Sequence, residues 1–596
     1  MLRGTHASLE YHQLLKQAKR LAVDGDPLKL AILADVSTQH MIPLLRVLFA
    51  REQLRVEIYE AGYDTVLLES LNASSDLYAF APQVVVILQS TFKLRGSFPD
   101  ARAEKATFAA RKGAEIEAVW EAIQARLSVP VIQSTFVVPY ERPFGHYGLK
   151  AAETFQSAVM ELNRELVQRA KRFASVFLCD LDYLAAWRGR SSFLDEKLWI
   201  LAKSLCALER LPDVAQSLVD ITIAGLGRSA KCVVVDLDNT LWGGVVGDDG
   251  IEGLALGELD EGGVFRGFQL FLRELVQRGI LLAVCSKNDE ALARRVFREH
   301  PGMVLKEADV AAWAVNWDSK AANIVAIREK LHIGYDAMVF LDDHPFERNL
   351  VRQMLPQVIV PELPEDPALY VRTLSELNLF EAGSQSGLDT QRTQLYHDQD
   401  RREQEAKNFK DVQAYLQSLQ TVATVDAFHA GNLGRVAQLI QRSNQFNLTT
   451  ARYSEAQCDA MGRDLKNYYP LTVSVQDRFG DFGLVCVVIL HRLERTLEID
   501  TFLMSCRVLQ RGVEQFVMNK IVDYARRGGY EQILGRYRPT AKNVRVKDFF
   551  RQFGFGQSAI LGDGETHWVL DPAAYTPVPV WIDERAPAPA HDAISA

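Results

Sequence analysis

Apolar residues along this chain come in two periods. Between Leu28 and about Leu201, short aliphatic and β-branched runs (LKLAILAD, RVEIYEAG, PQVVVILQS, VPVIQSTFVV) alternate with longer helical segments such as AEKATFAARKGAEIEAVWEAIQARL. The first kind reads as buried strand and the second as helix, and their alternation predicts a parallel sheet wound with helices on both faces. A second series with the same rhythm opens at KCVVVDLD. It passes through FRGFQLFLRELVQRG, ILLAVCSKN, DEALARRVFREH, SKAANIVAIREKL and AMVFLDD to QVIVPELP. The third region differs. LTVSVQDRF, GLVCVVILHRL and TLEIDTFLMS follow one another directly, ahead of the amphipathic RGVEQFVMNKIVDYARRGG, which predicts an antiparallel, α+β arrangement.

The pattern thus predicts a multidomain α/β chain. A doubly wound domain spans 1–215, a second α/β domain of Rossmann-like layering spans 228–365, and a polar helical connector containing HDQDRREQEAKNFKD spans 366–418. An α+β domain follows at 419–575, then a Pro/Ala-rich tail at 576–596. The 596 residues exceed what one hydrophobic core serves, so several domains are required. With 48% hydrophobic and 24% charged residues, the composition is that of a globular protein, and no apolar run reaches the roughly 20 residues of a membrane span. The N-terminus lacks a signal-type apolar core, which leaves the cytoplasm as the expected location. A net charge of -9 argues against nucleic-acid binding, which needs a concentrated basic surface. Seven scattered cysteines without a CxxC pair indicate neither a zinc site nor a disulfide framework.

Chemistry enters at VVVDLDNTLWGGVVGDDG. Ligands of parallel sheets collect at the carboxyl ends of strands, and Asp236 and Asp238 stand where KCVVVDLD ends. One Asp-x-Asp could simply close a buried strand. Three more groups stand at later strand or helix ends: Ser286 after ILLAVC, Lys320 opening the helix after NWDS, and Asp342 with Asp343 after AMVFL. A hydroxyl, a cation and hard oxygen ligands are what phosphoryl transfer on magnesium requires. Lys306, in MVLKEADV, competes for the cationic role.

The ordered motifs DLDNT, CSKN, NWDSK and VFLDDHPFER resemble the four motifs of the haloacid dehalogenase (HAD) phosphatases, and DLDNTLWGGVVGDDG resembles the FkbH-like branch, HAD-IIIC. That resemblance implies Asp236 as phosphoryl-accepting nucleophile, Asp238 as general acid/base, and Ser286 and Lys320 as phosphoryl-binding groups. It also implies Mg2+ held by Asp236, Asp238, Asp342 and Asp343. His344 departs from an expected Asn. Residues 241–285 leave no room for an inserted cap domain, and an open site suits a carrier-bound substrate.

The third domain resembles the GNAT-like part of longer FkbH-like proteins in QRSNQFNLTTARY, DRFGDFGLVCVV, FLMSCRVLQRGVEQ and PTAKNVRVKDFFRQFGF. Its loop, LQRGVE, retains only the central Gly512 of the pattern that grips coenzyme A, and Glu514 would oppose a pyrophosphate. Cys506 precedes a predicted helix start and adjoins Arg507, a setting that lowers a thiol pKa and suits a nucleophile. Cys486 is the alternative. Arg442, Asn444, Asn447, Asp477 and Asn543 are candidate polar contacts, with Asn444, Asn543 and Arg507 assigned to substrate binding; Asn and Asp can equally satisfy turn backbone.

The FkbH resemblance implies conversion of 1,3-bisphosphoglycerate into a glyceryl thioester on an acyl carrier protein for polyketide-type biosynthesis. The alternative is a HAD phosphatase acting on another phosphorylated or carrier-bound intermediate, with the outer domains serving recognition. The first domain resembles an SGNH-hydrolase fold. LADVST carries Asp35 and Ser37 where Gly-Asp-Ser would be expected, and Leu198 stands where the histidine would be, so a docking or scaffolding role is expected.

Overall fold

The computed structural model describes residues 10–18, 23–127, 129–151, 153–383, 392–406, 408–409, 411–443, 446–505, 508–540, 543–562 and 564–587. The chain forms two compact units, Met1–Gln385 and Ser386–Ala596. No described helix is long and apolar enough to cross a membrane.

The first unit begins with strands β1 (Leu28–Ala34), β2 (Val56–Glu60), β3 (Val84–Leu88), β4 (Val131–Ser134) and β5 (Val176–Cys179). They are all parallel, in the order β2-β1-β3-β4-β5. Side chains of β1 alternate between two cores: Leu30, Ile32 and Ala34 face one, Ala31 and Leu33 the other. Both faces are dry, which is why the run is continuously aliphatic. One core is covered by helices Met41–Arg51 and Leu211–Gly225, the other by Arg102–Gln124 and Phe155–Ala170. Helix Leu211–Gly225 thus runs past residue 215 while packed on this first sheet.

Strands β6 (Cys232–Val235), β7 (Leu281–Ser286), β8 (Val310–Val315) and β9 (Met338–Leu341) form a second parallel sheet, ordered β8-β7-β6-β9. Its core takes in Tyr370, Leu374, Leu379 and Phe380. The beginning of the predicted connector therefore packs against this domain. Asn378 Nδ2 then donates to Asp220 Oδ2 at 3.1 Å, tying the segment to the end of helix Leu211–Gly225.

In the second unit, β10 (Thr421–Ala427), β11 (Phe446–Asn447), β12 (Tyr468–Asp477), β13 (Gly480–Arg492), β14 (Thr496–Met504), β15 (Gln532–Tyr537), β16 (Gly556–Ile560), β17 (Thr566–Leu570) and β18 (Ile582–Arg585) make one sheet. Strands β10, β12, β13 and β14 pair antiparallel. β14 and β15 run parallel because helix Val513–Arg527 crosses between them. This is the expected α+β layout. The parallel register ends at Ile499, and β11 takes up Leu503 and Met504 instead, so β14 and β15 splay apart. The tail adds an element: β18 pairs parallel with β10.

The charged helix Arg392–Ala406 is not a solvated connector. Its Arg402 is fully buried and grips Asp477 bidentately, at 2.7 and 2.8 Å, with the guanidinium 4.3 Å from the Phe482 ring centre. Those partners lie 75 residues apart in sequence, beyond the reach of local pattern.

Candidate active site

The register of β6 against β7 and β9 places Val235 opposite Val284 and Leu341, so Asp236, Ser286 and Asp342 emerge together at one edge. Asp236 N–H donates to Leu341 O at 2.9 Å, fixing that edge. The Lys320 ammonium, 3% exposed at the start of helix Lys320–Leu331, bridges Asp236 Oδ2 and Asp342 Oδ2. Burial pulls its pKa down, but the two carboxylates more than offset that and hold it above its ordinary value. The competing Lys306 donates to Met303 O at 2.9 Å.

Asp342 is fully buried, and its carboxyl is raised to about 6 by burial and by Asp236, against the pull of Lys320. Asp343 accepts from Thr240 Oγ1 at 3.1 Å through one oxygen, and its pKa is raised first by burial. Arg348 Nη1 holds this loop by the Asp342 and Asp343 carbonyls, at 2.7 and 2.6 Å. Each of Asp236, Asp342 and Asp343 offers a carboxylate oxygen, and the three lie within 4.8 Å of one another. The buried Oδ1 of Asp236 receives no hydrogen bond. An unpartnered carboxylate oxygen among three clustered carboxylates is a donor set that suits a hard divalent cation.

Asp238 does not join that cluster through its side chain, contrary to its expected place among the metal ligands. Its Oδ1 accepts from Trp242 Nε1 at 2.9 Å and from Val246 N at 3.1 Å, and its Oδ2 from Asn288 Nδ2 at 2.9 Å. Burial raises its pKa against two of these donors, Val246 N–H and Trp242. Asn288 and Trp242, which the sequence reading passed over, are therefore the groups that orient this carboxyl. Their signal was present as the residue two after Ser286 and the residue four after Asp238.

The Gly243–Gly244 pair has a steric reason. A Cβ on Gly243 would come within 2.9 Å of the Phe265 ring, and Gly244 has φ +95. Asn239 Oδ1 and Asp249 Oδ2 accept from the N–H groups of Gly244 and Val245, at 3.0 and 2.7 Å, and close the turn. From here to β7 the chain makes short turns and helix Asp260–Gln277, with no inserted domain. His344, in place of the expected Asn, caps helix Pro345–Met354: its Nδ1 accepts from Phe346 N at 3.2 Å.

The second unit revises three expectations. Asn543 is fully buried with its amide spent on the protein, Nδ2 donating to Asn447 O at 3.0 Å and Arg538 O at 2.9 Å, and Oδ1 accepting from Thr540 N at 2.7 Å. It bridges the splay between β14 and β15 and has no capacity left for substrate. Asp477 is the buried partner of Arg402. Cys486 is fully buried in β13, and burial pushes its thiol well above the ordinary value, so it is no nucleophile in this state. Glu514 folds back on its own loop: Oε1 accepts from Gln510 N at 2.8 Å, occupying an amide that an anionic cofactor would need. Asn444, Cys506 and Arg507 lie outside the described residues, as does the Arg442 side chain. In the first unit, Ser37 has no histidine partner among the described residues, and His40 Nδ1 is hydrogen-bonded to the Tyr11 hydroxyl at 2.6 Å.

A family model described as FkbH, N-terminal domain, matches residues 29–223. The solved N-terminal part of protein BF1531 from Bacteroides fragilis, described as containing a phosphatase domain and complexed with Mg, is 36% identical with a TM-score of 0.60, over 63% of this chain and 99% of that one. Smaller likenesses reach the ribosomal-protein-S18-alanine N-acetyltransferase from Escherichia coli (12% identity, 25% of this chain, 94% of that one, TM-score 0.20) and Ard1 from Thermoplasma volcanium (16%, 25%, 97%, 0.21). No curated protein sequence matches. With four phosphatase motifs converging on one sheet edge, and over a third of residues shared with a solved relative along nearly all of its length, this chain belongs to the FkbH-like family of HAD-type proteins.

Proposed function

We propose that this chain is a Mg2+-dependent phosphatase coupled to acyl transfer, converting 1,3-bisphosphoglycerate into a glyceryl thioester on an acyl carrier protein. The observation that carries the phosphatase half is the buried, unpartnered Asp236 Oδ1 beside Lys320, Asp342 and Asp343. Asp236 is the nucleophile toward phosphorus, and Lys320, bridging it to Asp342, steers the phosphoryl oxygens. Ser286, 2% exposed at the end of β7, is the hydroxyl that orients the group. Asp238, held by Trp242, Val246 N–H and Asn288, passes a proton to the departing oxygen and later takes one from water. Asp236, Asp342 and Asp343 would hold a Mg2+, which would supply neutralisation of phosphoryl charge.

The acyl half rests on the family and on Cys506. The thiolate attacks the C1 carbonyl of the mixed anhydride, inorganic phosphate leaves, and a phosphoglyceryl thioester results. The remaining phosphoryl group passes to Asp236 and then to water, and the glyceryl group moves to the carrier thiol. The open site supports a tethered substrate, and Glu514 on the Gln510 amide argues against coenzyme A as donor. Intact-mass measurement of enzyme and carrier after adding Mg2+ and 1,3-bisphosphoglycerate tests the reading: a glyceryl increment on the carrier is expected, and an unloaded carrier with a phosphatase-active preparation overturns it. Cys506→Ala separates it from the alternative phosphatase, which would still release phosphate unchanged.

A further inference from the structure

The carboxyl edge of the second sheet carries an ion pair that the phosphoryl chemistry leaves unused. Lys287 follows Ser286 directly at the end of β7, and Glu347 lies in the first turn of helix Pro345–Met354, after β9. Lys287 Nζ donates to Glu347 Oε1 at 2.6 Å. In the order β8-β7-β6-β9, strands β7 and β9 are the two neighbours of β6. They stand two strand spacings apart, about 10 Å. The pair therefore joins the two loops that flank the end of β6, where Asp236 stands.

Both loops belong to the site. Lys287 sits between Ser286 and Asn288, and Asn288 Nδ2 holds Asp238. Asp342 and Asp343 open the loop that leads to Glu347. Glu347 is also close enough to the Cys285 thiol to act on its charge, as Asp236, Asp342 and Lys320 are.

The two partners differ in what they have left to offer. Glu347 is 8% exposed, and its Oε2 is buried with no hydrogen-bond partner. A buried carboxylate with one cationic partner keeps it, because an unpaired buried charge is costly. The Lys287 side chain is 38% exposed, and among the described residues its ammonium meets Glu347 alone. Two of its three donors remain for a ligand. Lys320 is the reverse: buried, it gives two donors to Asp236 and Asp342. An anion arriving from solvent therefore meets Lys287 first, with donors to spare and fixed in place. It needs a cation there, since Asp236, Asp238, Asp342 and Asp343 set a negative field at this edge.

We propose that Lys287 is a further phosphoryl-binding residue, held at the rim of the site by Glu347 to take phosphate oxygens of the incoming substrate. Glu347 is its positioning residue. The inference rests on the phosphatase reading of this site. A contact made on arrival and kept in the transition state is uniform binding, so its loss raises KM and spares kcat.

The test uses the full-length protein with Mg2+, p-nitrophenyl phosphate as substrate and inorganic phosphate as calorimetric ligand. Lys287→Met should raise KM about tenfold or more with kcat within about threefold, and should weaken inorganic phosphate by a similar factor. Lys287→Arg should restore both constants to within about threefold of wild type. Glu347→Gln, which keeps an acceptor but no charge, should raise KM in the same direction. The half-saturating Mg2+ concentration should not move in Lys287→Met, whereas a pair that only braced the Asp342–Asp343 loop would shift it. Unchanged KM and phosphate affinity in Lys287→Met, a fall in kcat alone, a raised Mg2+ requirement with phosphate affinity intact, or no rescue by arginine overturns the proposal. A wild type that binds phosphate through Lys287 yet hydrolyses no ester overturns the phosphatase reading and upholds the anion contact. One that neither binds nor hydrolyses overturns both.

Discussion

Asp35→Asn offers a direct measure of how the first domain tolerates a buried acid. Burial raises the Asp35 carboxyl from 3.8 to about 7, against the Ser90 N–H and the Lys93 charge, which both favour the ionised form. A folded pKa above the unfolded one means the native state holds the proton more tightly. Its contribution is complete below 3.8 and is lost as pH rises through about 7. Three units correspond to about 4 kcal/mol, nearly all of it lost by pH 8 and about 2 kcal/mol of it already lost at pH 5. Asparagine cannot ionise and keeps an oxygen for Ser90 N–H, so the variant escapes that loss. In a domain of about 200 residues, each kcal/mol moves the midpoint by about 2–4 °C, so Asp35→Asn should raise the transition by about 10 °C at pH 8 and by about half that at pH 5. Differential scanning calorimetry of the full chain at the two pH values reads the difference. An equal gain at both, or a loss at pH 8, refutes the burial argument.

Other consequences follow from single side chains. Lys320→Met leaves Asp236 and Asp342 buried side by side without their cation, and phosphate release from an aryl phosphate should fall at least about a thousandfold in a phosphate-release assay. Arg402→Met leaves the buried Asp477 with the Phe479 and Gly480 amides and, as a cation, the more distant Arg511 at 3.5 Å, and should destabilise the second unit by about 3–5 kcal/mol in urea unfolding while leaving phosphate release unchanged. Asn543→Ala removes the bonds that bridge the splayed strands and should cost about 2–3 kcal/mol by the same measurement. A variant of normal stability that fails to load the carrier would restore Asn543 as a substrate contact.

Several features were legible because they are local. The dry parallel strands appear as continuous aliphatic runs, and the candidate nucleophile Asp236 directly follows one of them. Four motifs in order sufficed to group Asp236, Ser286, Lys320 and the Asp342/Asp343 pair. Register then delivers the strand-borne ones to one edge, since Asp236 and Asp342 stand one residue past the paired Val235 and Leu341, and Ser286 two past Val284.

Where the reading departed from the structure, the partner lay far along the chain. A charge-dense segment reads as solvated, but Arg402 finds Asp477 75 residues on and becomes fully buried. Asn543 resembles a polar site residue until Asn447, 96 residues before it, accepts its amide. Composition and periodicity therefore determined the layers, and the ordered motifs carried the strand-end candidates and the resemblance to the family. Only the tertiary structure decided which carboxylates remain free for a cation, which lysine reaches Asp236, and which polar residues are structural. A hydrogen-bond donor or acceptor is available to substrate only if no other residue has already engaged it, and that is settled by contacts between segments distant in sequence.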